Sequence, residues 1–335
     1  MPGIQNCFGH LISRAMIYII SEKTDLVTDL VTEWLISKKK KFIRINDDTF
    51  VNSTSKIQAS FSNTSVFQNA SKIWQRRGGA NFIPDTLFQN FSNRSVFLNY
   101  FNKELSVYNS YLEDHLKKKL KDNYIGSLDQ EIHTNNKLIN LEIAKEVGLK
   151  IPASLITSDK GALQAFYNKY KKIITKDLRA PIDIKTRNKH FVSTGVKIVS
   201  SQMIAKLNKT FIPIYVQNFI AKQYEVRVFV IGKQLFSMAI FSQNDKKTQI
   251  DYRNYNRQKP NRCVPVLLPK SIEKKIWCFM DRTDMNTGSI DLIVTPQNEY
   301  YFLEINPMGQ FHWVSANCNY YIEEKIAKFL ADEKT

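Results

Sequence analysis

The sequence predicts a mixed α/β fold, and three stretches indicate it. A strand, a helix and a second strand follow one another with short connections over 17–45, an order typical of a parallel α/β unit. Apolar and polar residues alternate over 224–242, as in antiparallel strands. A third stretch, 288–307, contains two apolar runs around a turn. We therefore expect an N-terminal parallel α/β domain and a C-terminal antiparallel sheet.

The first unit has a helix over 22–35 with apolar residues at helical spacing, and Ser21 and Thr24 are both candidate N-caps. A second strand is predicted at 42–45. No glycine-rich loop follows the first strand at 17–20, which argues against a nucleotide site of the Rossmann kind.

The rest of the chain continues the alternation. Further helices are predicted at 97–121, 138–147, 160–170, 271–284 and 321–330, and further strands within 50–73 and at 172–176 and 214–220. A loop is expected between Pro152 and Lys160, and a polar hairpin over 177–198. These elements divide into an extension at 1–15, an N-terminal domain at 16–125, a central lid domain at 126–222 and a C-terminal catalytic domain at 223–335.

Composition limits the function classes. The chain has 335 residues and a formal net charge of +17, which implies an acidic partner such as a nucleotide, nucleic acid, membrane surface or acidic peptide. The basic residues are dispersed, without an arginine-rich stripe or a nucleic-acid module, which argues against nucleic acid. No apolar run reaches the length of a membrane span. Four widely spaced cysteines indicate reduced thiols in a cytoplasmic protein.

The hairpin at 288–307 carries the main chemical signal. Glu304 and Asn306 project from the same face, because residues two apart on a strand share a face. The hairpin places Asp291, on its other strand, beside them. Carboxylate and amide oxygens are ligands that suit Mg²⁺, which shares its other positions with phosphate and water. The alternative is an edge hairpin with solvated acids. The apolar flanks of each acid favour the metal site, because a buried charge needs a partner.

Other polar stretches permit two interpretations. Arg76 and Arg77 precede two glycines and either present guanidinium groups to an anion or form a basic turn. Glu225 and Arg227 share one face of a strand, as functional residues or as a cross-strand salt bridge. The hairpin at 177–198 has hydroxyls and one glycine for a phosphate contact, and His190 within it is either functional or a surface residue.

The order of these parts resembles the ATP-grasp fold. The strongest elements are Tyr224-Glu225-Val226-Arg227 and the stretch 302–311, Phe-Leu-Glu-Ile-Asn-Pro-Met-Gly-Gln-Phe. The stretches 16–22 and 74–77 also resemble this family. More narrowly, the chain resembles the graspetide, or microviridin-type, maturases that build ω-ester and ω-amide links in ribosomal peptides, and within these the grasp-with-spasm branch. The resemblance runs from Met16 to Leu330.

The resemblance implies a role for individual residues. Arg227 would face the γ-phosphate and the acyl phosphate. The metal ligands would be Asp291, Glu304 and Asn306. Lys137 and Lys176 would bind the ATP phosphates, and Gln217, Asn218 and Phe219 would form the hinge that reads adenine. Glu225 would bind the ribose hydroxyls, and Arg253 and Asn254 would contact the triphosphate. The lid departs from the glycine-rich loop of other ATP-grasp enzymes, so its phosphate contacts are not assigned.

The function that follows is an ATP- and Mg²⁺-dependent peptide macrocyclase. It would phosphorylate Asp or Glu side chains of a precursor peptide, consisting of a leader and an acidic core, and join them to Thr, Ser or Lys side chains. One rival is a glutamate-adding type of ligase with an intermolecular product. Another is a basic nucleic-acid-binding protein with a degenerate nucleotide fold. The sequence leaves open whether the chain forms a homodimer.

Overall fold

The computed structural model describes residues 15–46, 59–60, 63–64, 67, 69–78, 91–128, 135–178, 183–187, 189–192, 195–254 and 256–333. The chain divides into two compact units, one of Met1–Ile132 with Tyr321–Thr335 and one of His133–Tyr320. The four predicted segments, with boundaries at 15, 125 and 222, stay a prediction.

The helices and strands alternate along the described residues. The helices are α1 (Leu26–Ser37), α2 (Arg94–Leu120), α3 (Lys137–Glu146), α4 (Lys160–Tyr170), α5 (Ser201–Ala205), α6 (Lys270–Arg282), α7 (His312–Cys318) and α8 (Ile322–Leu330). The strands are β1 (Met16–Ser21), β2 (Phe42–Asn46), β3 (Ala59–Ser60), β4 (Asn63–Thr64), β5 (Ala70–Gln75), β6 (Tyr124–Ile125), β7 (Ser154–Asp159), β8 (Ile173–Thr175), β9 (Asp183–Lys185), β10 (His190–Val192), β11 (Lys197–Val199), β12 (Thr210–Asn218), β13 (Tyr224–Ile231), β14 (Gln234–Phe241), β15 (Arg262–Pro265), β16 (Thr287–Val294) and β17 (Tyr300–Asn306).

The first unit contains the parallel sheet that the sequence predicts. Its order is β2-β1-β5-β6, and every pairing in it is parallel. Ile20, Ile73 and Tyr124 pack against Leu112 and Leu116 of α2. The apolar stripe of α2 therefore forms the core on that sheet, which confirms the predicted α/β class for this part of the chain.

Both predicted N-caps of α1 are wrong. The N-cap is Asp25, whose carboxylate accepts hydrogen bonds from the Thr28 backbone N–H (3.1 Å) and hydroxyl (2.8 Å). Ser21 instead ends β1 and lies 2.7 Å from the Thr28 hydroxyl. A carboxylate at this position satisfies a free backbone donor and also interacts favourably with the positive end of the helix dipole.

The two arginines after β5 are engaged in ion pairs within the first unit. Arg76 Nε lies 3.4 Å from Asp25 Oδ2. Arg77 Nη1 lies 3.3 Å from Glu22 Oε2. These contacts tie the end of β5 to the start of α1, and they favour the interpretation of this stretch as a structural turn.

The second unit contains two antiparallel sheets, ordered β11-β8-β12-β7 and β15-β14-β13-β16-β17, and a small β9–β10 hairpin. The predicted loop after Pro152 is wrong, because that segment forms the edge strand β7. Its Leu155 and Ile156 pair with Val216 and Tyr215 of β12. The conformation of this short stretch depends on cross-strand pairing with residues distant in sequence.

The core of the second unit lies on one face of the five-stranded sheet. Val226, Val228 and Val230 of β13 pack there against Ile276 and Phe279 of α6. Neighbouring residues on a strand point to opposite faces. The residues between these valines therefore lie on the other face, where the polar side chains collect.

Three features of the described part bear on class. No helix there combines the length and hydropathy needed to cross a bilayer. Cys263, Cys278 and Cys318 are free thiols, while Cys7 lies outside the described residues. All of residues 50–58 and the lid residues Arg179, Ser193 and Thr194 also lie outside them.

Candidate active site

The polar face of the five-stranded sheet brings the predicted acids together. Glu225 and Arg227 lie on β13, and Asp291 lies directly opposite Arg227 on β16. Glu304 of β17 lies opposite Asp291 in turn. Three neighbouring strands thus place an arginine and two carboxylates in one row across the sheet. The predicted hairpin at 288–307 is confirmed, while the roles of its residues stay predictions.

A β-bulge turns Glu304 towards this row. The register passes from Asp291 opposite Glu304 to Leu292 opposite Phe302, so Leu303 is an extra residue on β17. Phe302 and Ile305 both belong to the apolar core. An extra residue shifts the alternation of side chains by one position. The bulge therefore lets Phe302 face the core while Glu304, two residues later, faces the site.

Asp291 and Arg227 form a buried ion pair. Arg227 Nη1 donates to both Asp291 oxygens at 2.7 Å and reaches the Tyr252 hydroxyl at 3.4 Å. Burial alone would lower the pKa of Arg227, but Asp291 raises it well above its ordinary value. The guanidinium group keeps its proton in proteins. Burial raises the pKa of the Asp291 carboxyl, and Arg227 opposes that rise. Arg227 Nε is buried and has no hydrogen-bond partner among the described residues.

Glu304 is surrounded by positive charge. Lys137 Nζ lies 2.8 Å from Glu304 Oε2, and Arg253 Nη1 lies 3.7 Å from Oε1. Burial alone would raise the pKa of Glu304, but Lys137, Lys176 and Arg253 bring it down to about 2. Burial lowers the pKa of Lys176 to about 8, and Lys137 and Arg253 contribute to that shift. The site therefore has a surplus of cations, which suits a polyphosphate.

Asn306 lies at the end of β17 and is exposed. Its Oδ1 accepts a hydrogen bond from the Met308 backbone N–H at 3.1 Å, within a tight turn. Among the described residues, no three His, Cys, Asp or Glu side chains cluster as metal ligands. The predicted set of two carboxylates and one amide oxygen fits Mg²⁺, a hard cation that takes few protein ligands and completes its shell with phosphate and water.

A cleft lies beside this row of side chains. Its lining includes Lys176, Glu225, Asp291 and Glu304, together with the predicted hinge Gln217, Asn218 and Phe219. Gln217 Oε1 and Asn218 Oδ1 are buried and have no hydrogen-bond partner in the part of the chain that the structure describes. Unused buried acceptors suit a ligand with amino donors, such as adenine.

The ribose candidate Glu225 has partners that the sequence did not indicate. Its Oε1 accepts from Lys222 and its Oε2 from the Ser242 hydroxyl. Burial raises the pKa of Glu225, while Lys222 and Ser242 oppose that rise. Lys222 is 8% exposed and belongs to the cleft lining. A lysine in a predicted break between strands carries no sequence signal of such a role.

Of the two residues predicted to contact the triphosphate, Arg253 lies at the site and Asn254 does not. Arg253 is held by Asp251, which accepts from Arg253 Nη2 at 2.8 Å, and it reaches towards Glu304. Asn254 is exposed and does not line the cleft. Two aromatic residues were missed: Tyr252 stacks on Trp313 with ring centroids 5.9 Å apart, and the Arg227 guanidinium lies 5.9 Å from the Trp313 ring.

Comparison with known proteins identifies the class. The family model for the RimK-like ATP-grasp domain matches residues 134–330. The chain therefore belongs to the RimK-like ATP-grasp family, and it is an ATP-binding ligase. No curated protein matches the sequence significantly.

Comparison with solved structures shows which ATP-grasp ligases the chain is similar to. A RiPP-associated ATP-grasp ligase of Chryseobacterium gregarium, in complex with ADP and a leader and core peptide, is 25% identical with a TM-score of 0.75, over 95% of this chain and 96% of that one. The macrocyclase MdnC of Microcystis aeruginosa MRC, bound with precursor peptide MdnA, is 26% identical with a TM-score of 0.69, over 95% and 100%. The ATP-grasp ligase PsnB, complexed with a precursor variant, Mg and ADP, shares the fold at 15% identity, with a TM-score of 0.69 over 95% and 98%.

These findings confirm the resemblance to graspetide-type ligases and the ATP-grasp fold class. The narrower assignment to the grasp-with-spasm branch stays a prediction.

Proposed function

We propose that this chain is an ATP-dependent peptide macrocyclase. It joins Asp or Glu side chains of a ribosomal precursor peptide to Thr, Ser or Lys side chains of the same peptide. The observation that carries the proposal is the row of Arg227, Asp291 and Glu304 beside a cleft that Lys176 and Arg253 also line. The relatives MdnC and the C. gregarium ligase, which are bound to precursor peptides, support a peptide partner.

The reaction takes place in two steps. A peptide carboxylate oxygen attacks the γ-phosphorus of ATP, the bond to the β,γ-bridging oxygen breaks, and ADP leaves. A hydroxyl or amine of the same peptide then attacks the acyl carbon, loses its proton, and inorganic phosphate leaves. The peptide loses one water for each link formed. Catalysis of this kind is mainly positioning and charge stabilisation, so it requires no nucleophilic side chain.

The residues divide this work. Arg227, fixed by Asp291, directs its unused Nε–H and its charge at the transferring phosphoryl group. Lys137, Lys176 and Arg253 bind the phosphates, and Gln217, Asn218 and Phe219 bind adenine. Asp291, Glu304 and Asn306 would hold Mg²⁺, which neutralises charge on the triphosphate. Asn254 is kept as a weaker candidate because it is exposed.

The free site differs from a preformed metal site. The carboxylates of Asp291 and Glu304 already contact Arg227 and Lys137. These cations neutralise both ligands until phosphates provide other partners for them. We therefore expect the metal to bind together with the nucleotide.

The net charge of +17 supports an acidic core peptide as the substrate. We also keep two expectations as proposals: the cytoplasm as the location, and domain boundaries near residues 125 and 222.

The decisive experiment combines the protein with ATP, Mg²⁺ and a short peptide encoded beside its gene, rich in Thr, Lys, Asp and Glu near its end. Mass spectrometry should show the loss of one water per link, with ADP release. A gain of an amino-acid mass would support the glutamate-adding type of ligase instead. Salt-sensitive nucleic-acid binding without ADP release would favour the binding-protein alternative. Glu304→Gln is the inactive control.

A further inference from the structure

A buried lysine that the proposed mechanism does not use lies at the cleft. Lys222 precedes β13 by two residues, and its side chain is only 3% exposed. Its Nζ donates to Glu225 Oε1 and to the backbone carbonyl oxygen of Ile250, the latter at 3.2 Å. A buried ammonium group loses its hydration, so it persists only where partners replace the water.

The partner of this lysine is the acid implied in ribose binding. Glu225 lies on β13 with its side chain on the polar face, and the Ser242 hydroxyl donates to its second oxygen. Burial raises the pKa of Glu225, and the charge of Asp291 on the neighbouring strand β16 adds to that rise. Burial and the Glu225 charge together raise the pKa of the Cys263 thiol on β15. Neither brings a positive charge to Glu225. Lys222 is thus the cation in direct contact with this carboxylate.

The contacts leave room for a diol. An ionised carboxylate has about four acceptor sites, of which Lys222 and Ser242 use two. Two adjacent hydroxyl groups are donors that match the remaining sites. If the carboxyl group were protonated, one oxygen would become a donor. If it rotated, its free lone pairs would point elsewhere.

We propose that Lys222 is a positioning residue that holds Glu225 as an oriented carboxylate, so that the 2′- and 3′-hydroxyl groups of the nucleotide ribose donate to its free lone pairs. The inference rests on the proposed nucleotide site and adds a residue to it. It makes Lys222 a determinant of the preference for ribonucleotides over deoxyribonucleotides. A purely structural lysine, which only joined the segment before β13 to Ile250, would not affect that preference.

The test is calorimetric titration of the full chain with ADP and with 2′-deoxyADP, both with Mg²⁺. The wild-type protein should prefer ADP by roughly tenfold, as expected for a hydrogen bond to a charged group. Lys222→Met should reduce this preference to about one, mainly by weakening ADP binding. Lys222→Arg, which keeps the charge, should restore most of it.

Two controls separate the lysine from its surroundings. Glu225→Gln should lose the same preference, and the double variant with Lys222→Met should lose no more than either single variant. Lys233→Met removes an exposed lysine at the β13–β14 turn and should leave the preference unchanged.

Several outcomes would overturn the inference. A Lys222→Met protein that keeps the full preference would do so, and so would one that weakens both nucleotides equally. If Lys222→Met does not fold, Lys222→Gln keeps a donor for Ile250 and decides in the same way. A wild-type protein without preference would overturn both this inference and the ribose role of Glu225. No peptide is present, so the result is independent of whether macrocyclisation occurs.

Discussion

The two antiparallel sheets of the second unit supply opposite charges to the active site. The five-stranded sheet contributes Asp291, Glu304 and Glu225 from within strands, and nearly all residues of its β13 and β16 are buried. The four-stranded sheet contributes Lys176 at the end of β8, and its β11 has one buried residue of three. Lys137 comes from the first residue of α3, and Arg253 comes from a loop.

This difference teaches how the site is organised. Glu225 and Asp291 lie on strands that are paired on both sides, and Glu304 lies on the edge strand β17, which pairs with β16. Backbone pairing therefore sets the positions of the acids before a ligand arrives. Of the other cations proposed to bind phosphate, Lys137 and Lys176 lie at element ends and Arg253 lies in a loop, all on long, flexible side chains. Arg227 is the exception, because it lies inside the rigid sheet and pairs with Asp291. The following predictions test this contrast.

The largest effect is expected from Arg227→Ala. Turnover, measured as ADP release with peptide, should fall about 10²- to 10³-fold, because a fixed positive group on the transferring phosphate is lost. Asp291 would also remain as an unpaired buried charge, which should cost about 3 kcal/mol in denaturant unfolding. Nucleotide affinity should stay largely intact. Unchanged turnover would remove Arg227 from its proposed role.

The order of ligand binding is the next test. Mg²⁺ should bind the free protein roughly 5- to 150-fold more weakly than the ADP-bound protein, because Arg227 and Lys137 occupy the carboxylates. Calorimetry with Mg²⁺ alone and with ADP measures this ratio. Lys137→Met frees Glu304, so it should tighten binding of the metal alone while it weakens ADP. Tight metal binding by the wild-type protein alone would contradict the charge arrangement.

Gly309→Ala tests the rigidity of the turn after β17, next to the proposed metal ligand Asn306. A Cβ at this position would lie 2.3 Å from the Ser289 side chain and 3.0 Å from the Asn306 carbonyl oxygen. We expect a loss of about 1–3 kcal/mol in unfolding free energy and weaker Mg²⁺–ADP binding, because the turn that holds Asn306 must move. Ser289→Gly in the same protein makes space and should recover part of the loss. Equal stability of the single variant would show that the turn is not tightly packed.

The smallest effect concerns pH. The pKa of Lys176 is about 8, below its ordinary 10.5, so between these values the unfolded chain binds more protons than the folded one. The contribution of Lys176 to stability therefore rises with pH in this window. ADP affinity should fall severalfold above about pH 8, as the phosphate-binding charge is lost. Lys176→Met should abolish this trend; an identical pH profile in that variant would assign the titration to another group.

Much of the site was predictable because its signals are local. The alternation around Asp291 and Glu304 predicts a hairpin whatever the rest of the chain does, and Glu225 and Arg227 share a face by spacing alone. Lys222 was not predictable, because its importance comes from a contact with Glu225 and a carbonyl oxygen 28 residues further on. The strand β7 was missed for the same reason, since its pairing partner β12 is distant in sequence.

The sequence by itself determined the α/β class, because strand alternation and helical spacing are properties of short segments. Its motifs also showed the resemblance to the ATP-grasp fold and the residues proposed to face phosphate and metal. Tertiary structure alone decided that Leu303 forms the bulge that turns Glu304 towards Asp291, and that Arg227 and Lys137 pair with these acids. Those arrangements depend on the register between strands and on burial, and both are fixed only when distant segments pack together.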